Sequence, residues 1–314
     1  MSPVPTLPLN DKRAIPTIAF GTGTALWRKD ATASVLQAIN GGFNHIDTAS
    51  LCGNEESVGD ALRQVLGETS DIGEGGINAE QQKPGKLVRE DIWVTTKYGG
   101  EIDAEEALDI SLKKLGLSYV DLYLISWPEF TPDILKTWSE LESAQAHGKA
   151  KSIGVSNFNI DQLKLIVEHA KVPPAVNQIR FHPYDYHAHA LADLLDFANK
   201  HGIRIESYSG LAPITKLSGG PVDQVVEGIA KRLGPQVTPA QVLMNWIRAK
   251  GAVIVTTTSR KERIQEYLNT FKLPPLTEED VAAIDEAGKH PPPLYKPELD
   301  VHLHHKKLLG LLDR

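Results

Sequence analysis

Two side chains with clear potential for chemistry each lie at the end of an apolar run. Asp47 lies in the stretch GFNHIDTASLCGNEESVGDAL (42–62), and Lys97 closes the apolar run WVTTK. A carboxylate or an ammonium among apolar residues costs roughly several kcal/mol unless a partner compensates it. The sequence therefore predicts a buried ion pair between Asp47 and Lys97. The alternative, in which Asp47 only caps the following turn, stays open at this level.

Short apolar runs that alternate with helical patterns must position these side chains. Such alternation predicts an α/β protein, a closed parallel (β/α)8 TIM barrel that forms a single domain over 1–314. A doubly wound sheet fits less well, because no phosphate-binding glycine fingerprint follows the first strand. The predicted strands are Ile15–Phe20, Phe43–Ala49, Ile92–Lys97, Val120–Ser126, Ser152–Asn157, Ala175–Phe181, Arg204–Ser209 and Ala252–Thr258.

Two segments depart from the alternation. Residues 69–86 are rich in Gly, Glu and Gln, which predicts an exposed inserted loop. The tail 290–314 begins with a proline break and could fold over one mouth of the barrel; its HLHH cluster is interpreted as part of a solvated tail and not as a metal site. The predicted helices are Ala31–Asn40, Ala104–Leu115, Pro132–His147, Ile160–His169, Ala188–His201 and Thr238–Lys250, with Thr238 as N-cap.

The composition restricts the class of partner. The formal net charge is -7 and the basic residues are scattered, which argues against nucleic acid and favours a small-molecule substrate. Cys52 is the single cysteine, which excludes an internal disulfide and a cysteine-based zinc site and favours a reducing, cytoplasmic location. No apolar run approaches the length of a membrane span or of a signal-peptide core.

In such a barrel the chemistry lies at the carboxyl ends of the strands. The residues found there are amides, hydroxyls and the one carboxylate–lysine pair, which together would form a polar ring. Each residue alone is compatible with an ordinary strand terminus, but the set predicts a binding site. Its members are Thr24, Asp47, Lys97, Ser126, Ser156, Asn157, Gln178, Tyr208, Ser209, Thr257 and Thr258.

A series of motifs gives this ring a more specific interpretation. They occur in the order and approximate spacing of the aldo-keto reductases, which the chain resembles over about Ile15–Leu273. The resemblance implies a barrel that binds NADPH without a Rossmann fold, and a monomer. The motifs are HIDTA with GNEESVG, WVTTK, GLSYVDLYLISWP, GKAKSIGVSNF, VNQIRFHPY, IESYSGL and VTTTSRKERIQEY.

The resemblance also implies a role for the residues that would bind the cofactor. Ser156, Asn157 and Gln178 would hold the nicotinamide carboxamide, and Tyr208 would stack on its ring. The rest of the groove would be lined by Gly23, Thr24, Asp47, Ser209 and Leu211.

The adenosine 2′-phosphate would lie at the TTTSRKERIQEY segment. Arg263 matches the family's arginine there, and a guanidinium suits a phosphate. Thr257 stands where the family usually has a lysine, so one charge is missing; Thr258, Ser259 and Arg260 would compensate, and Glu266 belongs to the same region. NADPH is favoured over NADH.

The family pattern breaks at the residues that would touch the substrate. The family uses an aspartate, a tyrosine acid, a lysine that lowers the pKa of the tyrosine, and a histidine beside the substrate carbonyl. Asp47 and Lys97 match, but Cys52 stands at the tyrosine position and Ser126 at the histidine position. Trp127, by its family position, would line the substrate pocket.

The replacement of the tyrosine has chemical consequences. Cysteine is too short to protonate the substrate oxygen, and a thiol beside Lys97 would tend towards the thiolate. Loss of general-acid catalysis costs about 10²- to 10⁴-fold in rate, so reduction of ordinary aldehydes and ketones should be poor.

Three functions remain. The first is hydride transfer to a substrate that needs no enzyme acid, such as an iminium or a conjugated C=C/C=O. The second is a redox-neutral reaction, such as cyclisation, isomerisation or dehydration, at Asp47, Lys97 or Cys52. The third is a non-catalytic role, as an NADPH-binding or scaffolding protein.

Overall fold

A closed barrel of eight parallel strands forms the centre of the protein. The computed structural model describes residues 4–67, 87–100 and 102–296, without the side chains of 189 and 190. The predicted loop 69–86 and the tail from 297 onward lie outside the described residues. The barrel strands are β3 (Ile18–Gly21), β4 (His45–Asp47), β5 (Trp93–Tyr98), β6 (Val120–Ile125), β7 (Ala150–Ser156), β8 (Val176–Arg180), β9 (Arg204–Tyr208) and β10 (Val253–Thr256), preceded by β1 (Thr6–Pro8) and β2 (Ala14–Pro16).

The predicted (β/α)8 barrel is confirmed, with one correction at its first strand. The run Ile15–Phe20 does not form one strand: it divides into β2, which pairs with β1 in an antiparallel hairpin, and β3, which enters the barrel. The division falls at Pro16, which has no N–H to donate to a ladder, and at Thr17, whose N–H donates to the Pro5 carbonyl at 2.9 Å. β3 then pairs with β10 and closes the barrel.

The six predicted helices are present, with ends shifted by no more than two residues. Thr238 caps its helix as predicted, because its Oγ1 accepts the N–H of Gln241 at 3.3 Å and Pro239 occupies the first helical position. The helices are α1 (Thr32–Gly41), α2 (Glu55–Leu66), α3 (Ala104–Leu115), α4 (Ile134–Ala146), α5 (Ile160–His169), α6 (Pro183–Tyr186), α7 (His189–Lys200), α8 (Ala212–Thr215), α9 (Pro221–Leu233), α10 (Pro239–Ala249), α11 (Lys261–Asn269) and α12 (Glu278–Gly288). Among the described helices, none has the length and the apolar character that a membrane crossing requires.

The apolar core has two parts, and the smaller one supports the site. The larger lies between the barrel and its helices and includes the fully buried Trp138 and Trp246. The smaller part fills the amino-terminal end of the barrel, where Leu9 and Ile15 of the hairpin region pack against it. Apolar packing at one end leaves the carboxyl ends of the strands for the polar residues.

Candidate active site

The predicted ion pair between Asp47 and Lys97 is present inside the barrel. The Lys97 Nζ lies 2.7 Å from Asp47 Oδ1 and donates a second hydrogen bond to the Thr48 carbonyl at 2.9 Å. Asp47 is 5% exposed and Lys97 8%. Asp47 ends β4 and Lys97 is the fifth residue of β5, so the two adjacent strands bring these charges together.

A second buried carboxylate, Glu206, joins this cluster and was not predicted from the sequence. The Nε2 of Gln178 donates to Asp47 Oδ2 at 2.8 Å and to Glu206 Oε2 at 2.7 Å. Burial, and then the nearby charge of Asp47, raise the pKa of Glu206 to about 8. The signal was available, because Glu206 is a carboxylate inside the predicted strand Arg204–Ser209, as Asp47 is inside its own.

Three predicted cofactor residues form one hydrogen-bonded group at the ends of β7 and β9. Asn157 Nδ2 donates to the Ser126 carbonyl at 3.0 Å and to Ser156 Oγ at 3.1 Å, and its Oδ1 accepts the Tyr208 hydroxyl at 2.8 Å. Ser156 in turn donates to the backbone carbonyl of Gln178 at 2.8 Å. The group links the ends of four neighbouring strands, β6 to β9, and fixes the side chains that meet at the barrel mouth.

The backbone turns sharply after two of these strands. Asn157 has φ 64° and Ser209 has φ 57°, in the left-handed region that residues other than glycine seldom adopt. Such conformations persist where the surrounding structure fixes them, and they concentrate at functional sites. Leu211 comes two residues after Ser209, just before α8. Gly23 and Thr24 follow β3, and β10 lies between β3 and β9 in the barrel.

Cys52 ends a 3₁₀ turn, Ser50–Cys52, and is 5% exposed. Burial raises the pKa of its thiol to about 12, and the opposing effect of Lys97 is smaller. The expectation that this thiol tends towards the thiolate is therefore wrong. A Cβ added at Gly23 would lie 3.3 Å from the Cys52 sulfur, so Gly23 leaves room for the side chain.

Ser126 and Trp127 follow β6 and are both buried. The Oγ of Ser126 has no hydrogen-bond partner within the described part of the chain, although its backbone carbonyl is held by Asn157. Trp127 precedes the 3₁₀ turn Pro128–Phe130. A buried hydroxyl without a partner among the described residues and a buried indole thus follow each other in the chain after β6, the strand next to that of Lys97.

The predicted phosphate region lies between β10 and α11. Thr257 Oγ1 is buried without a partner among the described residues, and Arg263 lies in the first turn of α11 with Nη1 3.5 Å from the Tyr267 hydroxyl. Thr258 Oγ1 accepts the N–H of Arg260 at 3.0 Å. Glu266 accepts the hydroxyl of Thr238 at 2.7 Å, which ties it to the start of α10.

Arg180, to which the sequence assigned no role, helps to anchor the first described residues of the tail. Its guanidinium pairs with Asp185 at 2.6 and 3.1 Å, and the hydroxyl of Tyr295 donates to the same carboxylate at 2.9 Å. Because Asp185 closely follows β8, this contact places residue 295 near the mouth of the barrel.

Comparison with known proteins defines the class. The model of the Aldo/keto reductase family matches residues 17–289, and the chain belongs to this family. It is 35% identical to an NAD/NADP-dependent indole-3-acetaldehyde reductase of Schizosaccharomyces pombe, covering 87% of this chain and 91% of the relative. It is 33% identical to an NADPH-dependent alpha-keto amide reductase of Saccharomyces cerevisiae, covering 91% of each chain.

A solved relative supports the same assignment. The crystal structure of a Bombyx mori aldo-keto reductase (AKR2E4) in complex with NADP is 30% identical, with a TM-score of 0.76 over 91% of this chain and 94% of that one. The prediction of an oxidoreductase of the aldo-keto reductase type is thus confirmed, and its relatives bind NADP(H). The individual roles of the site residues stay predictions.

Proposed function

We propose that this protein transfers hydride from NADPH to an acceptor that needs no acid from the protein, a conjugated C=C/C=O in the first place and an iminium in the second. The observation that carries the proposal is the composition of the substrate side. Lys97 keeps an ammonium there, while Cys52 holds a short, buried thiol and Ser126 a hydroxyl. An acceptor that makes little demand on a proton donor suits this set of residues.

The residues present fit NADPH. The carboxamide would be held by Ser156, Asn157 and Gln178, with Tyr208 against the ring and the groove lined by Gly23, Thr24, Ser209 and Leu211. The unpaired buried hydroxyl of Thr257, together with Thr258 and the guanidinium of Arg263, provides hydrogen-bond donors for a 2′-phosphate. Glu266 lies on α11, the helix that also carries Arg263, and would belong to the same phosphate region. When bound, NADPH supplies the hydride.

Neither Cys52 nor Ser126 replaces the missing acid. The thiol is one heavy atom beyond Cβ, far short of a tyrosine hydroxyl, and proton transfer needs donor and acceptor within about 3 Å. With its pKa raised to about 12, the thiol also stays protonated at neutral pH. This weighs against the alternative in which Cys52 is the nucleophile of a redox-neutral reaction.

Lys97 is the group that can respond to charge on the acceptor. Among the described residues Nζ has two acceptors, Asp47 Oδ1 and the Thr48 carbonyl, which leaves one N–H of the ammonium for a ligand. Hydride addition at the β-carbon of a conjugated carbonyl moves the electron pair to the oxygen, and this N–H would stabilise the resulting enolate. Water then protonates the α-carbon, so no acid from the protein is required.

The contacts of Asp47 make an iminium the less favoured of the two proposed hydride acceptors. Both oxygens of Asp47 already accept hydrogen bonds, one from Lys97 and one from Gln178. The ammonium of Lys97 neutralises the carboxylate, so little negative potential remains for a cationic acceptor. An acceptor on which negative charge develops gains more from this site than one on which positive charge disappears.

A matched substrate screen tests the proposal. NADPH consumption would be followed with cyclic enones, preformed cyclic imines and simple aromatic aldehydes at equal concentrations, with NADH as the cofactor control. We expect enones to be reduced faster than imines, and both faster than aldehydes. Rates that are highest for aldehydes would overturn the proposal, as would the absence of NADPH binding at millimolar cofactor.

A further inference from the structure

Glu206 occupies an unusual place for a carboxyl group. It lies in the middle of β9, has no solvent exposure, and is in register with Gln178 of β8. Its Oε2 accepts from Gln178 Nε2 at 2.7 Å, while its Oε1 is buried without a partner among the described residues. Burying a carboxyl group costs free energy, and the side-chain hydrogen bond that compensates part of this cost is the one from Gln178. We therefore look for the role of Glu206 in its effect on Gln178.

The two carboxyl groups determine which way the Gln178 amide faces. A primary amide nitrogen has two hydrogens, and here one goes to Asp47 and the other to Glu206. If the amide were reversed, its carbonyl oxygen would face the Asp47 carboxylate, an acceptor against an acceptor. The amide nitrogen is therefore committed, and Oε1 is the atom that Gln178 has left to offer a ligand.

The neighbouring residues are committed in the same way. Both N–H groups of Asn157 donate, to the Ser126 carbonyl and to Ser156 Oγ, and the Ser156 hydroxyl donates to the Gln178 carbonyl. The amides and the hydroxyl of Asn157, Ser156 and Gln178 thus use their N–H and O–H donors within the protein and present acceptor atoms to a ligand.

We propose that Glu206 is a positioning residue that, together with Asp47, fixes Gln178 with Oε1 towards the cofactor, so that the site takes the N–H side of the nicotinamide carboxamide. The inference rests on the proposed binding of NADP(H) and adds the polarity of that contact. Glu206 itself touches neither cofactor nor substrate in this role. The raised pKa keeps its carboxyl group neutral at pH 7, and a neutral carboxyl still accepts through its carbonyl oxygen.

Binding of three oxidised cofactors separates this role from simple structural support. NADP⁺ and its thionicotinamide analogue both carry an amide NH₂, whereas the 3-acetylpyridine analogue has a methyl group in its place. Dissociation constants from isothermal titration calorimetry should be about tenfold weaker for the acetyl analogue, because one hydrogen bond to Gln178 is lost, and close to that of NADP⁺ for the thio analogue.

Variants then assign the preference to Glu206. In Glu206→Leu only Asp47 still accepts from the Gln178 amide nitrogen, so Oε1 is less firmly directed at the cofactor and the preference for NADP⁺ over the acetyl analogue should fall to about twofold or less. In Glu206→Gln the new amide oxygen accepts from Gln178 in the same place, so the preference should be retained. Circular dichroism shows whether Glu206→Leu folds; if it does not, Gln178→Met must abolish the preference by itself.

The outcomes distinguish this inference from the proposed function. Equal affinity of the wild type for NADP⁺ and the acetyl analogue would overturn the inference and leave NADP(H) binding intact. The same holds for an unchanged preference in a folded Glu206→Leu or in Gln178→Met. If no dinucleotide binds, the proposed function fails and this inference fails with it.

Discussion

The two halves of the polar ring differ in how completely their side chains are held. On the cofactor side, the amides and hydroxyls at the ends of β7, β8 and β9 bond to one another and to the backbone. On the proposed substrate side, Asp47 and Lys97 are as firmly held, but the Ser126 hydroxyl has no partner among the described residues, and Cys52 places a small thiol where the family resemblance implies a tyrosine. The contrast teaches that the residues proposed to hold the nicotinamide are more completely hydrogen-bonded than Cys52 and Ser126, which we propose face the substrate.

The largest expected effect comes from removing the positive charge that pairs with Asp47. Lys97→Met leaves the buried Asp47 without its counter-charge, which we expect to abolish turnover and to lower the free energy of unfolding by about 3–5 kcal/mol. Turnover and urea denaturation measure the two effects. Lys200→Met is the matched control, because Lys200 pairs with Asp196 on the surface and its loss should change neither quantity. Asp47→Asn should also abolish turnover, and full activity in both site variants would show that the site is elsewhere.

A second experiment gives the proposed substrate side the residues that the family resemblance implies. Restoring the family residues with Cys52→Tyr and Ser126→His supplies the missing acid, so reduction of simple aromatic aldehydes should rise by about 10²- to 10⁴-fold. Steady-state kcat/KM for benzaldehyde is the measurement, and each single variant is the control. A double variant that binds NADPH but stays inactive would mean that the difference between the halves extends to the backbone.

The titration of Glu206 tests how the cofactor half is stabilised. Its pKa is about 8 in the folded protein against 4.5 in the unfolded chain, so the folded state retains a proton that the unfolded state releases. The free energy of unfolding should therefore fall as the pH rises between these values, by about 1.4 kcal/mol per pH unit for this group. Glu206→Gln should lack that slope.

Urea denaturation of both proteins between pH 6.5 and 8 provides the comparison. Burial lowers the pKa of His45 and His182 to about 4, so these groups reduce stability only at lower pH, and they do so equally in both proteins. Parallel stability curves for the two proteins would show that Glu206 does not hold a proton at neutral pH.

The smallest expected effect concerns the far end of the cofactor groove. Thr257→Lys places the family's usual ammonium beside Arg263, so NADPH should bind about tenfold more tightly through an added charge-assisted contact with the 2′-phosphate. The affinity for NADH, which lacks that phosphate, should not change. Fluorescence titration with both cofactors gives the ratio, and an equal gain for NADH would place Thr257 away from the phosphate.

The sequence predicted most of the fold because the signals are local. Alternating apolar runs and helical patterns define the barrel, and Asp47 and Lys97 stand out because each is a charge in an apolar run. The one strand that differs from its prediction is the first, which divides at Pro16. This division depends on tertiary pairing, because β2 pairs with β1 in the hairpin whereas β3 pairs with β10 in the barrel.

The parts of the site that were missed depend on register and on desolvation. The contact between Gln178 and Glu206 exists only once β8 and β9 are aligned in the barrel, and no local pattern contains that alignment. For Cys52, the sequence predicted a nearby lysine but not the extent of burial, and burial has the larger effect on the pKa of the thiol. Proximity can be inferred from motifs, whereas the balance between charge and burial requires the packed structure.

The pairing of β3 with β10 has a consequence for how the molecule is made. β3 leaves the ribosome early, yet its edge away from β4 pairs only with β10. There Ile18, Ala19 and Phe20 meet Ile254, Val255 and Thr256, near the end of the chain. During most of translation the growing sheet therefore has an open edge on β3, the kind of edge that invites pairing with other chains. Since the polar ring is also incomplete until β10 arrives, a nascent or truncated chain that ends before β10 carries the exposed edge without the assembled site.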